Sequence, residues 1–139
     1  MTQPKPKPKF EHRDRRQACL GLIDLEALVA EDHPARGIRA LLETVDFSAY
    51  EEEILSREGQ AGRAAVPPWL LAALWIYGLS QGIGTARALE RLQSQEPGLR
   101  WLCADDPVNS HTLADFRTWW GRQLEQLFRQ VLAVLEQAG

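Results

Sequence analysis

The sequence predicts an all-α fold: a compact multi-helix domain with a helix-turn-helix-like core and a long C-terminal helix. Three observations predict it. Residues 66–92 read VPPWLLAALWIYGLSQGIGTARALERL, an apolar run, a glycine break and a second helical run. From Leu113 onward, Phe116, Trp120, Leu124, Leu127, Val131 and Val134 recur at steps of three and four, a stripe of about six turns. No stretch alternates in the way a strand requires, and no internal repeat appears.

The central run sets the rest. Pro67 and Pro68 suit a first helical turn, where no amide proton is needed. Leu70, Leu71, Leu74, Trp75 and Leu79 follow at helical spacing, apolar on nearly every side, as in a helix buried on most faces. Gln81-Gly82-Ile83-Gly84 allows a sharp reversal. Thr85 then caps a second helix, with Ala88, Leu89 and Leu92 inward and Arg87 and Arg91 outward. The outline is a helix-turn-helix, with Gly78, Ile83 and Ala88 fitting its DNA-binding version. Arg91 stands where that version often has an apolar residue.

Before this run, residues 1–18 form a basic, Pro/Lys-rich arm, and residues 19–139 the helical domain. The start, MTQPKPKPK, cannot form a helix or bury anything, so it is expected to be extended and disordered. Residues 20–30 are an amphipathic helix candidate with Asp24 as cap. His33 precedes Pro34 at the next helix start, a capping position, and Ile38, Leu41, Leu42 and Val45 form its apolar stripe. Phe47 and Tyr50 pin the acidic run 51–53 to the core edge, and residues 56–65 make a loop. After the second helix of the core, residues 94–98 end in Pro-Gly and stop it. Residues 98–103 form a short apolar turn or helix, and Asn109 or Ser110 caps the final helix. Gly121 marks a bend or a close helix contact there. Trp69, Trp75, Trp101, Trp119 and Trp120 sit among aliphatic residues, which suits core and interface better than base stacking.

Composition narrows the function. The chain has 139 residues, 45% of them apolar, enough for one domain with a core. Its net charge is −3. Residues 1–16 carry +4, residues 24–58 carry −7 and residues 59–139 are neutral overall. Any phosphate contact must therefore come from the arm or from local arginines. Cys19 and Cys103 fit no zinc spacing and suit a reduced, cytoplasmic setting. The N-terminus lacks a secretory h-region, and the run 70–79 is too short to span a bilayer. His12, His33 and His111 are scattered, no phosphate loop is present, and no nucleophile–base or two-carboxylate set can be assembled. No cofactor is expected.

The segment VNSHTLADFRTWW, residues 108–120, crowds a helix start with Asn109, Ser110, His111 and Thr112. A helix start favours phosphate, and such side chains reach base edges in a major groove. The local alternative is that Asn109 and Ser110 only cap the helix while His111 and Thr112 shape the turn. Arg117 suits a phosphate, a partner in Asp115 or a neighbouring helix.

Four blocks occur in order: DHPARGIRALLETVDFS, GRAAVPPWLLAALWIYGLSQGIGTARALERL, RWLC and VNSHTLADFR. Together they resemble the N-terminal domain of bacterial insertion-sequence transposases, the InsH-like group, from about residue 22 onward. The resemblance implies a helical domain that binds the terminal inverted repeats of its element, nucleoid-associated when bound. In that family a strand with the first catalytic aspartate follows the long helix, in a DDE domain of RNase H-like fold. This sequence stops at Gly139, and none of the three DDE carboxylates has a counterpart in it. A lone acid such as Asp115 or Glu136 cannot replace them, because two-metal phosphoryl transfer needs several carboxylates converging on ions about 4 Å apart. The expectation is a non-catalytic polypeptide: an excised domain, a remnant or one product of a split frame.

The expected partner is double-stranded DNA, with homo-oligomerisation possible and no membrane. The expected contacts are Arg87 and Arg91, then Asn109, Ser110, His111, Thr112 and Arg117, with the start of the final helix favoured for the groove. Lys5, Lys7 and Lys9 would add backbone contacts from the arm. The alternative is a helical protein-interaction or dimerisation domain, or a truncated regulatory remnant of a transposase. The acidic residues 24–58 and the adjacent Trp119 and Trp120 favour that alternative.

Overall fold

The computed structural model describes residues 24–52 and 66–138. These form a 3-10 turn, Leu25–Leu28, and five helices: α1 Pro34–Glu43, α2 Pro68–Ser80, α3 Ala86–Leu92, α4 Pro97–Cys103 and α5 Ser110–Ala138. Residues 48–52 are helical as well. Among the described residues there is no strand, as the sequence predicts. The arm, Cys19, the start of the 20–30 segment, Glu53 and the 56–65 loop lie outside the described residues, as does the side chain of Val134.

The protein is built around α2. Pro67 stands at its N-cap and Pro68 in its first turn. Every residue from 70 to 78 is buried. Each large aliphatic side chain there contributes about 2 kcal/mol of transfer free energy. Helices α1, α4 and α5 surround α2, and α3 touches its end. Gly82 reverses the chain with φ of +82°, where a side chain would be strained. The Ile83 amide then donates to the Gly78 carbonyl at 2.8 Å.

Upstream, the amphipathic helix expected over residues 20–30 is, in its described part, only a four-residue 3-10 turn. Asp24 caps it, accepting from the Glu26 amide at 3.1 Å. Arg36 supplies the reason it stops. Its guanidinium donates to the carbonyls of Glu26 (2.7 Å), Val29 (3.0 Å) and Ala30 (2.9 Å), acceptors that a continuing helix would use internally. His33 caps α1 as its position predicts, Nδ1 accepting from the Ala35 amide at 3.0 Å. Ala35, Ile38 and Leu42 point into the core. Leu41, expected beside them, is 37% exposed, and Val45 is half-buried. Phe47 and Tyr50 are buried against α5, with ring centroids 4.9 Å from Trp120 and 5.3 Å from Phe116.

Downstream, Thr85 caps α3, accepting from the Ala88 amide at 3.2 Å. The Pro-Gly pair expected only to stop a helix opens one instead. Pro97 takes the first turn of α4, and Glu96 caps it by accepting from the Leu99 amide at 2.8 Å. Gly98 lies against the Tyr77 ring so closely that a Cβ would fall 2.4 Å from it. In α5, Leu113, Phe116, Trp120, Leu124 and Val131 are buried and Leu127 half-buried. The helix bends at Trp120 (φ −115°, ψ 19°). Nothing lies within 4 Å of a Cβ built on Gly121, so the glycine accompanies a bend and not a close contact. The tryptophans serve the core. Trp75 Nε1 donates to the Leu113 carbonyl at 2.9 Å, and Trp119 is half-buried beside Tyr50 at 5.3 Å. No helix of the described residues is long and apolar enough to cross a membrane.

Candidate nucleic-acid interface

Helix α3 is held to the start of α5 by three contacts. Gln93, the C-cap of α3, is fully buried. Its Nε2 donates to the Val108 carbonyl at 2.9 Å, and its Oε1 accepts from the Val108 amide at 2.8 Å. Glu90 accepts from the Ser110 amide, the first of α5. Arg117, two turns along α5, reaches back to donate to the Gly84 carbonyl at 2.7 Å, its guanidinium 4.7 Å from the Trp75 ring centroid. These contacts fix the loop, both helix ends and the glycine turn as one unit. Buried polar pairs of this kind are costly to break, so the relative placement is tightly specified.

Five of the eight arginines among the described residues are engaged by the fold. Arg36 pairs with Glu26 at 3.0 Å and lies 4.9 Å from the Trp101 ring. Arg39 pairs with Glu43 at 2.8 Å and covers Trp69. Arg100 pairs with Asp105 at 2.8 Å, and Arg129 with Glu125 at 2.9 Å. Arg87 and Arg91 differ. Both are exposed, they lie one turn apart on α3, and neither guanidinium has a hydrogen-bond, ion-pair or ring partner among the described residues. Arg122, on the distal part of α5, shares that state.

The polar start of α5 is engaged internally. Asn109 Oδ1 accepts from the Thr112 amide at 2.8 Å, which is a cap. Ser110 and Thr112 are half-buried, while Asn109 and His111 are exposed. The structure thus brings Arg87, Arg91, Asn109, Ser110, His111, Thr112 and Arg117 onto two adjoining elements, with Arg117 turned toward the glycine turn. Lys5, Lys7 and Lys9 lie outside the described residues. Sequence reasoning missed Glu90 and Gln93. Their roles depend on partners 20 and 15 residues away, and no local pattern signals them.

Other chemistry is sparse. Among the described residues, no three His, Cys, Asp or Glu side chains are grouped to hold a metal ion. Cys103 is buried, its thiol donating to the Arg100 carbonyl at 3.8 Å. Burial pushes the Tyr77 phenol well above its ordinary range, and its 2.8 Å bond to the Glu96 carboxylate adds to the rise. That phenol is a packing element between α2 and α4.

The transposase domain family (DUF772) matches residues 23–119. The chain belongs to this family. No curated protein and no solved structure matches it. The matched span holds α3, its arginines, the Val108 loop and the start of α5. The candidate contacts from Arg87 to Arg117 therefore fall inside the match, and Lys5, Lys7 and Lys9 fall outside it. The match closes at Trp119, one residue before the bend in α5.

Proposed function

We propose that this transposase domain binds duplex DNA at the terminal inverted repeats of its element. Strand cleavage and joining fall to a separate catalytic domain of the transposase. The observation that carries the reading is the pair Arg87 and Arg91: exposed, adjacent and unengaged on a helix that a buried clamp holds in place. Membership of a transposase family supports it, because such a protein must recognise its element. Phosphate contacts give affinity and register, and base-edge contacts give sequence preference. A mobility-shift titration at moderate salt tests the reading. Terminal-repeat DNA is expected to shift at a protein concentration at least tenfold below that needed for a scrambled duplex. Equal shifts, or none with either duplex, would contradict it.

A second reading has its own observation. A shallow groove between α1 and α2 is lined by Leu42, Val45, Phe47, Pro67, Pro68 and Trp69, with Glu43 and Glu51 also in its wall. A largely apolar groove with an acidic edge suits a helical interaction domain. Sedimentation with and without DNA separates the two. A stable dimer that ignores DNA favours interaction, and a species that binds duplex without self-association favours recognition.

A further inference from the structure

Two elements could meet the duplex: the exposed face of α3 and the polar start of α5. The start of α5 is the attractive choice from sequence, because a helix start concentrates free amides and a positive dipole end. Three of its first four amides, however, are already taken. The Ser110 amide donates to Glu90, the Thr112 amide to Asn109 Oδ1, and the Leu113 amide to the Asn109 carbonyl at 3.2 Å. The occupant at Ser110 is a carboxylate from the same protein, which repels a phosphate as well as blocking it. More acid surrounds the site. Asp106 is exposed in the loop before it and Asp115 about one turn along, while Asp105 is paired with Arg100.

Helix α3 has the opposite character. Leu89 is buried and anchors its inner side, while Arg87 and Arg91 stand outward. Their guanidiniums have no internal partner among the described residues, so binding a phosphate breaks no existing bond. An α-helix is about 10–12 Å across with its side chains, which suits a major groove about 12 Å wide. We propose that the Arg87–Arg91 face of α3 receives the duplex phosphates, and that Glu90 closes the start of α5 to them. Glu90 is a positioning residue: it joins α3 to α5 and steers the backbone toward the arginines. This assignment rests on the DNA-binding reading above and names the surface that carries it.

The test is a salt series from 50 to 200 mM with a fluorescent terminal-repeat duplex. Each phosphate contact contributes about 0.9 to the slope of log K against log salt. Arg87→Ala with Arg91→Ala is expected to make the slope shallower by about 1.8. Arg87→Lys with Arg91→Lys keeps both charges and is expected to retain the slope. Arg122→Ala with Arg129→Ala removes the same charge from distal α5 and is expected to leave the slope within 0.5 of the parent. Thermal melts establish that each variant is folded. An unchanged slope in the Arg87/Arg91 alanine variant overturns the assignment, as does an equal loss in the distal variant, while duplex binding itself stands. Absence of salt-dependent binding by the parent chain removes the DNA reading and this assignment together.

Discussion

Gln93 shows how much a single buried side chain decides. It contributes nothing to an apolar stripe, yet it satisfies both backbone groups of Val108 from inside the protein. Gln93→Ala leaves that amide and carbonyl without partners, and the expected loss is about 3 kcal/mol in urea unfolding. A loss below 0.5 kcal/mol would mean that the loop repacks and the clamp is dispensable. Tyr77 gives a pH-dependent counterpart. Its phenol titrates higher in the folded chain than in the unfolded chain, because burial and the Glu96 carboxylate both disfavour the phenolate. Stability from this source is complete below the unfolded value of about 10 and is lost as pH rises beyond it. The melting temperature is therefore expected to fall between pH 10 and 11.5, and to fall less in Tyr77→Phe. An identical alkaline drop in both proteins would place the cause elsewhere.

At the scale of elements, local signals and long-range bonds divide the work. The caps at Asp24, His33 and Thr85 are legible because each is a short acceptor two or three residues from its amide. The burial of α2 is legible because its run is apolar on every side, and the α5 stripe because it repeats for many turns. What stayed hidden depended on distance in sequence. The turn at Leu25–Leu28 is short because Arg36 takes its carbonyls from the next helix. Pro97 opens α4 because Glu96 is held by the Tyr77 hydroxyl as well as by its own cap bond. Counting apolar residues places Leu41 inward, but the face of α1 is already filled by Ala35, Ile38 and Leu42. The candidate site divides the same way. Exposed arginines on α3 follow from helical spacing, whereas the closure of α5 by Glu90 requires the folded loop. The α2–α4 contact supplies a direct test of packing. Gly98→Ala drives a methyl into the Tyr77 ring, which is itself fixed, and is expected to cost 2 kcal/mol or more, about the upper range for overpacking. A melt within 1 °C of the parent would show that α4 can slide.

Across the whole molecule, charge is separated along the chain. The first sixteen residues are cationic, residues 24–58 strongly anionic, and the remainder balanced. Within the balanced part, Arg100 and Arg129 are ion-paired and Arg117 bonds a backbone carbonyl, while Arg87, Arg91 and Arg122 have unengaged side chains among the described residues. With a net charge of −3, the chain offers duplex DNA little overall attraction, so the proposed binding depends on a small, well-placed face. Fixing that face to α5 through buried bonds limits the ordering cost of binding. The central claim is that a transposase domain with little overall attraction for nucleic acid still selects the ends of its element. Fluorescence anisotropy of the full chain with terminal-repeat and scrambled duplexes, each at 100 mM salt, measures this directly. The account predicts at least tenfold tighter binding to the terminal repeat. Equal affinity for both duplexes, or none for either, would contradict it.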